Sequence, residues 1–410
     1  MRGSANQPDP QAAVLGARLR TAREAAGLSL SELAAKIPYS KAALGHYETG
    51  RRTASSEVLT WYQRACGEFA DPVTALSVLS RADVDRRSFL RDTAYSAALT
   101  ATALTSVSDA ARLVHVTPEE TRVGMAEVEA VQGVTDAFLR LDEVRGGKVG
   151  RSAVAEFLAT DVAALLRSRF ASADVRAQAF SAASELAYMA GFKAHDAGQD
   201  GLGQRYFLSA LRLAEESGTP GQDGFAFRIL ALHASDVHQA HNSVPLAERA
   251  VLSARGNVSP DTMALFEVAL ARCYAESGDK AQALKALRRA EPWIMPEATT
   301  EIPRWAALFC PNKASVTRQA AKTFLAIGDL AEAERYQYMS ATIWHPRTHT
   351  RIHAISLAET GLIRWRMGNH EEAANLWRTA LPTLTAVSSE RGSKLLRRIR
   401  KAAPELIDHT

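Results

Sequence analysis

The sequence predicts an all-α protein, and three observations carry that reading. From Pro118 to Ala386 the apolar residues fall on the 3.6-residue helical period. The breaks between periodic segments are short and built from Gly, Asp or Pro, which stop and restart helices. Alternating strand patterns are almost absent. The 410 residues are 47% hydrophobic and 23% charged, with 15 Pro and 24 Gly, a composition that excludes a disordered or fibrous chain.

In chain order, residues 1–13 form a polar tail with Pro8 and Pro10, expected to be disordered. Residues 14–80 read as one small domain, with short helices punctuated by Gly27, Pro38 and Gly50. Residues 81–118 read as a helical connector capped by Asp85. Pro118 opens a further helix with Glu119 and Glu120 in its first turn, where the helix dipole favours them. Residues 119–388 repeat themselves as a solenoid. Residues 389–410 are a basic terminal helix or tail, its Lys394–Lys401 run expected to be solvated.

The net charge of +4 is concentrated at one end. Residues 11–66 carry eight basic side chains (Arg18, Arg20, Arg23, Lys36, Lys41, Arg51, Arg52, Arg64) and four acidic ones (Glu24, Glu32, Glu48, Glu57). Elsewhere the two signs balance. Positive charge gathered on a small domain is the footprint of a polyanion binder. The three cysteines form no CxxC pair, no run of 18 apolar residues exists, and MRGSANQPDPQ has no apolar core. A reducing cytoplasm is the expected location.

The solenoid reading rests on repeated offsets. Leu270, Ala271, Tyr274, Gly278, Ala283, Leu287 and Ala290 match Gly361, Gly368, Ala373, Trp377 and Ala380, and again Gly191, Gly198, Gly203, Phe207 and Ala210. Gly328, Ala333 and Ser340 fit more loosely, as do His238, Asn242, Ala247, Val251 and Ala254. Turns are expected at 198, 242, 278, 328 and 368. The pattern resembles the tetratricopeptide repeat, with small residues where paired helices touch and a large one filling the next groove.

The segment from Val14 to Cys66 resembles the Cro/phage-repressor (Xre) helix-turn-helix. Leu19, Arg20, Arg23, Gly27, Ser29, Leu33, Ala34, Ser40, Leu44, Glu48, Gly50 and Arg51 carry the match. Leu15, Leu19, Leu33, Ile37 and Leu44 are the expected core. Ser29 and Ser40 are expected N-caps, and Gly50 a left-handed helix stop. The resemblance implies double-stranded DNA binding, with a recognition helix from Ser40 to Tyr47 in the major groove. Lys41, Ala42, Ala43, Gly45 and His46 are its base-facing positions. Arg51, Arg52 and the amides opened by Ser29, with Ser31, are expected at phosphates. Leu30, Pro38 and Gly45 depart from the family pattern.

Together the two parts are similar to a group of actinobacterial regulators that join an Xre-type domain to a degenerate tetratricopeptide region. That resemblance implies a cytoplasmic, homodimeric transcriptional regulator whose repeat domain receives a peptide or small-molecule effector. In such folds the first helix of each pair lines the inner face. Here this places Tyr188, Phe192, His195, Asp236, Gln239, Arg272, Glu276, Arg318, Lys322 and Trp365 inward. The alternative is an adaptor that uses the repeats to bind a protein, with vestigial DNA binding.

Other features read as structural. Asp85–Leu90 mimics a twin-arginine export signal but lies behind the DNA-binding domain, so a connector helix is expected. His345, His349 and His353 have metal-ligand spacing, but Pro346 and flanking arginines oppose a metal. His233, His238 and His241 read as packing residues. Gly146-Gly147-Lys148 is a helix–helix turn rather than a phosphate loop. No catalytic constellation stands out, and neither enzyme activity nor any cofactor or metal is expected.

Overall fold

The computed structural model describes residues 10–26, 28–66, 122–294, 301–308 and 312–404, with single positions between 73 and 83. The expectations for the 1–9 tail, Gly27, the connector from Asp85 to Pro118, Glu119, Glu120 and the export-signal mimic lie outside these residues. The side chains of Leu15 and Arg18 do too. Contacts divide the chain into two units, Met1–Leu79 and Ser80–Thr410. Among the described residues the chain is helical, with one isolated bridge between Val123 and Phe170. No helix there is long and apolar enough to cross a membrane.

The first unit holds α1 (Pro10–Ala25), α2 (Leu30–Lys36), α3 (Lys41–Glu48) and α4 (Ser56–Cys66). Leu19, Leu33, Ile37 and Leu44 are buried as expected, joined by Tyr47, Val58 and Tyr62. Gly50 takes φ 68°, the left-handed stop that lets the chain leave α3. Pro38 is accommodated because Ile37 already has the extended backbone that a residue before proline prefers, at φ −134° and ψ 154°.

The second unit begins with α5 (Met125–Arg145). Next come α6 (Arg151–Phe157), a π-helical turn (Leu158–Val162) and α7 (Ala163–Arg167). Gly146 ends α5, so the Gly-Gly-Lys segment is a helix–helix turn. Helices then pair: α8 (Ala173–Asp196) with α9 (Asp200–Ser217), and α10 (Gln222–Asp236) with α11 (Ala240–Ala254). The third pair is α12 (Pro260–Glu276) with α13 (Lys280–Ala290). After the single turn α14 (Arg304–Ala307), α15 (Asn312–Ile327) pairs with α16 (Leu330–Ile343). The last pair is α17 (Thr350–Arg366) with α18 (His370–Ala386), followed by α19 (Glu390–Ala402).

The repeat signature has a steric origin. A Cβ on Gly191 would lie 2.6 Å from the Phe207 ring, and one on Gly361 would overlap the buried Trp377 indole. These glycines let paired helices approach until the large side chain fills the groove. Gly198, Gly278, Gly328 and Gly368 occupy left-handed turns, as the spacing predicts. The remaining turn differs: its left-handed residue is His238, at φ 60°, and Asn242 lies inside α11. Histidine is among the few side chains that tolerate this backbone. The turns therefore recur after 40, 40, 50 and 40 residues. The long interval holds the insertion that contains α14.

The superhelix closes on itself. Arg351 on α17 is 1% exposed and donates to Asp142 (2.6 Å) and Glu143 (3.1 Å) of α5 and to Asp196 (3.4 Å) of α8. Lys193 shares Asp142 at 3.0 Å. Arg304 bridges Asp136 of α5 (2.7 Å) and Glu185 of α8 (3.0 Å). The terminal α19 is not the solvated tail that its charge predicts. Leu395 and Ile399 are buried, and its Ser389 cap donates to Asp196 at 2.8 Å.

Two stability measurements follow. Gly361→Ala should cost about 1–3 kcal/mol by urea denaturation, the usual range for overpacking. Gly133→Ala, whose Cβ meets open space on α5, should be neutral or slightly stabilising. Burial pushes the Glu185 carboxyl up from 4.5 to about 7, against Arg304. Its folded-state value is raised, so Glu185 weakens folding as pH climbs from 4.5 to 7, by about 3 kcal/mol in all. Glu185→Gln should remove that slope; parallel pH profiles for the two proteins would show that Glu185 does not titrate there.

Candidate functional site

In the N-terminal unit, local chemistry fixes α2 and α3. Ser29 caps α2 reciprocally: Glu32 N–H donates to Ser29 Oγ (3.2 Å), and Ser29 N–H donates to the Glu32 carboxylate (2.7 Å). That backbone bond also lowers the Glu32 pKa. Ser40 caps α3 by accepting from Ala43 N–H at 3.2 Å. Each cap of this kind contributes about 1 kcal/mol. The helix proper spans Lys41–Glu48, one position later than the expected Ser40–Tyr47.

The orientation of α3 comes from a buried ion pair. Arg23 of α1 donates through Nε (2.7 Å) and Nη2 (2.9 Å) to both oxygens of Glu48, and the Tyr62 hydroxyl of α4 adds a third bond at 3.0 Å. Arg23 also donates to the Leu28 carbonyl at 2.7 Å, holding the loop before α2. One charge-assisted network thus joins α1, α3 and α4.

The outer face of α3 then presents Lys41, Ala42 and His46, all exposed, with Leu44 pointing inward. Ala43 differs from the expectation, because it is half-buried and packs on the core. At Gly45 an added Cβ would meet nothing, so this is an open position without a reader. Ser31, Arg51 and Arg52 are exposed, and the Arg52 guanidinium lies 5.3 Å from the Tyr47 ring centroid. Leu30 packs against the core.

The second unit holds a cavity of about 140 Å³ that opens to solvent. Its wall takes residues from α8, α10, α12, α15 and α17, the first helix of each pair, and from α5 and α19. Seven residues predicted to face inward line it: Tyr188, Phe192, His195, Asp236, Arg272, Arg318 and Lys322. Three do not. Gln239 is the exposed cap of α11, Glu276 ends α12 as an acceptor for Arg272, and Trp365 stacks on His370 at 4.1 Å. Sequence reasoning missed Arg228, His233, Trp344, Arg351 and Arg391, which also line the wall.

Most of the charge there is paired. Asp236 accepts from Arg272 (2.6 Å) and Lys322 (3.2 Å), which hold its carboxyl well below the usual range. Burial beside Arg272 pulls the Lys322 amine down to about 8. Arg318 pairs with Glu359 at 3.0 Å; against burial, Arg318 and Lys322 keep that carboxyl at about 2. His195 Nδ1 lies 2.6 Å from Asp200, and His233 Nε2 lies 3.1 Å from the Asp200 carbonyl. His195, Asp200 and His233 bring potential metal-ligand atoms within 4.8 Å of one another. The adjoining Arg272 and Lys322 oppose a cation there. His345 and His349 precede α17, so no continuous helix aligns them with His353.

Residues 14–76 match the helix-turn-helix domain family. That segment holds most of α1 and all of α2–α4. No curated protein matches the chain. The N-terminal unit thus carries a helix-turn-helix domain, a class of fold found in DNA-binding regulators.

Glu48→Gln leaves the buried Arg23 guanidinium with only the exposed Glu24 carboxylate, at 3.5 Å, as counter-charge. It should lower the stability of the N-terminal unit by about 3–5 kcal/mol, read from the Tyr62 and Trp61 fluorescence transition in guanidinium chloride.

Proposed function

We propose that the chain is a sequence-specific transcriptional regulator of the Xre type, acting in the cytoplasm as a homodimer, whose tetratricopeptide-like solenoid senses an effector. It is a binding protein, not an enzyme. The observation that carries this reading is the exposed Lys41–Ala42–His46 face, on a helix capped by Ser40 and braced by Arg23–Glu48. That face belongs to the stretch holding the chain's whole excess of positive charge. Leu30 is absorbed by core packing and Pro38 by an exposed turn, so neither blocks the α3 face. A module this small buries too little DNA for tight binding alone, and two half-sites one turn apart would supply the rest. The effector reading rests on the cavity lined by the first helix of each pair.

The test uses an operator selected from random duplexes with the full chain. Lys41→Ala should cost about 1–3 kcal/mol and relax preference at one base position. Arg52→Ala should weaken every sequence alike and reduce the salt slope by about one. Unchanged affinity and preference in Lys41→Ala would remove α3 from the major groove.

A further inference from the structure

The cavity wall carries six cationic side chains, Arg228, Arg272, Arg318, Lys322, Arg351 and Arg391, against two carboxylates, Glu143 and Asp236. Five of the six are accounted for. Arg228 donates to the Leu265 carbonyl (2.8 Å) and Ser315 (2.9 Å), and the other four have the ion pairs given above. Arg391 differs. Among the described residues no carboxylate lies within ion-pair distance of it, and its contact is with the Phe192 ring, 5.8 Å from the centroid. Desolvation, Arg318 and Arg351 push its pKa down, and the more distant Asp196 and Glu359 carboxylates oppose them only in part. Arg351 lies over the same ring at 5.5 Å. Two wall side chains, Trp344 and His233, also each carry a buried nitrogen without a hydrogen-bond partner. The apolar part of the wall is Tyr188, Phe207, Ile229, Leu232 and Ile352, and His195, Ser315 and Gln319 add polar groups.

We propose that this cavity binds a small amphipathic carboxylate, its anion on Arg391 beside Arg318 and Arg351 and its apolar body on Phe192, Trp344 and Ile352. A half-buried guanidinium with no carboxylate in direct contact is incompletely neutralised, and a ligand carboxylate meets it with two parallel hydrogen bonds. Apolar lining with a few convergent charges is the common form of a small-ligand site, which supplies orientation through the charge and affinity through buried area. The cavity volume suits a compact molecule. This inference rests on the effector reading above and narrows it from peptide or small molecule to a compact anion.

The experiment is calorimetry and thermal melting on the full chain, without DNA. The probes are phenylacetate, 4-phenylbutyrate and octanoate, each beside its primary amide, with inorganic phosphate and phenyl phosphate as further arms. At least one carboxylate should bind tenfold or more tighter than its amide and raise the melting temperature. Arg391→Met should abolish that difference, and Arg391→Lys should restore part of it. Arg391→Met should also melt higher than the parent without probe, because an incompletely neutralised charge is gone; a folded, higher-melting variant separates lost recognition from lost structure. Equal binding of acids and amides, tighter binding of phosphates, or undiminished carboxylate binding by Arg391→Met would each overturn the proposal. Because DNA is absent, these outcomes leave operator binding, and the DNA-binding part of the reading, independently testable.

Discussion

A guanidinium removed from water is costly unless it meets acceptors, best of all an anion, and this constraint organises both units. In the N-terminal unit the buried cation is Arg23, and its anion, Glu48, stands at the end of the helix that would read DNA. In the second unit it is Arg351, whose anions come from α5 and α8 at the opposite end of the superhelix. Neither pair need add much net stability, because desolvation offsets most of the attraction. What each contributes is geometry. Any packing that separates the partners leaves a bare charge in the interior, so α3 has one orientation and the helix pairs one closure.

Local chemistry was legible in the sequence, and long-range pairing was not. Ser29, Ser40 and Gly50 could be assigned because a cap or left-handed stop depends on neighbours within four residues. Arg23 and Glu48 were both visible as motif residues, yet their bond spans 25 positions and belongs to tertiary packing. The turn near 238 was displaced to Asn242 because its left-handed residue is a histidine, which leaves no glycine to mark it. The terminal helix was misread because six of the residues from 391 to 401 are basic and hide the spacing of Leu395 and Ile399.

The cavity shows the same division. The rule that first helices line the inner face found Tyr188, Phe192, Arg272 and Arg318, because each lies within the body of such a helix. It failed for Gln239, Glu276 and Trp365, which sit at or beyond helix ends, where the chain has left that face. It could not find Arg391. A repeat pattern describes each pair with its neighbours only, whereas Arg391 reaches the cavity because α19 folds back on α17 and α18.

That closure bears on how such a cavity can signal. A ligand shifts an equilibrium only through a difference in affinity between two states. In an open solenoid, small rotations between successive pairs add up along the stack, so a ligand touching one pair feels little of the total. Here α5 and α19, from the two ends of the unit, each contribute a wall residue, Glu143 and Arg391, to one space of about 140 Å³. A ligand held there spans the accumulated displacement of every pair between them. Its affinity is therefore sensitive to the closure of the whole unit, which is the differential contact that an effector requires.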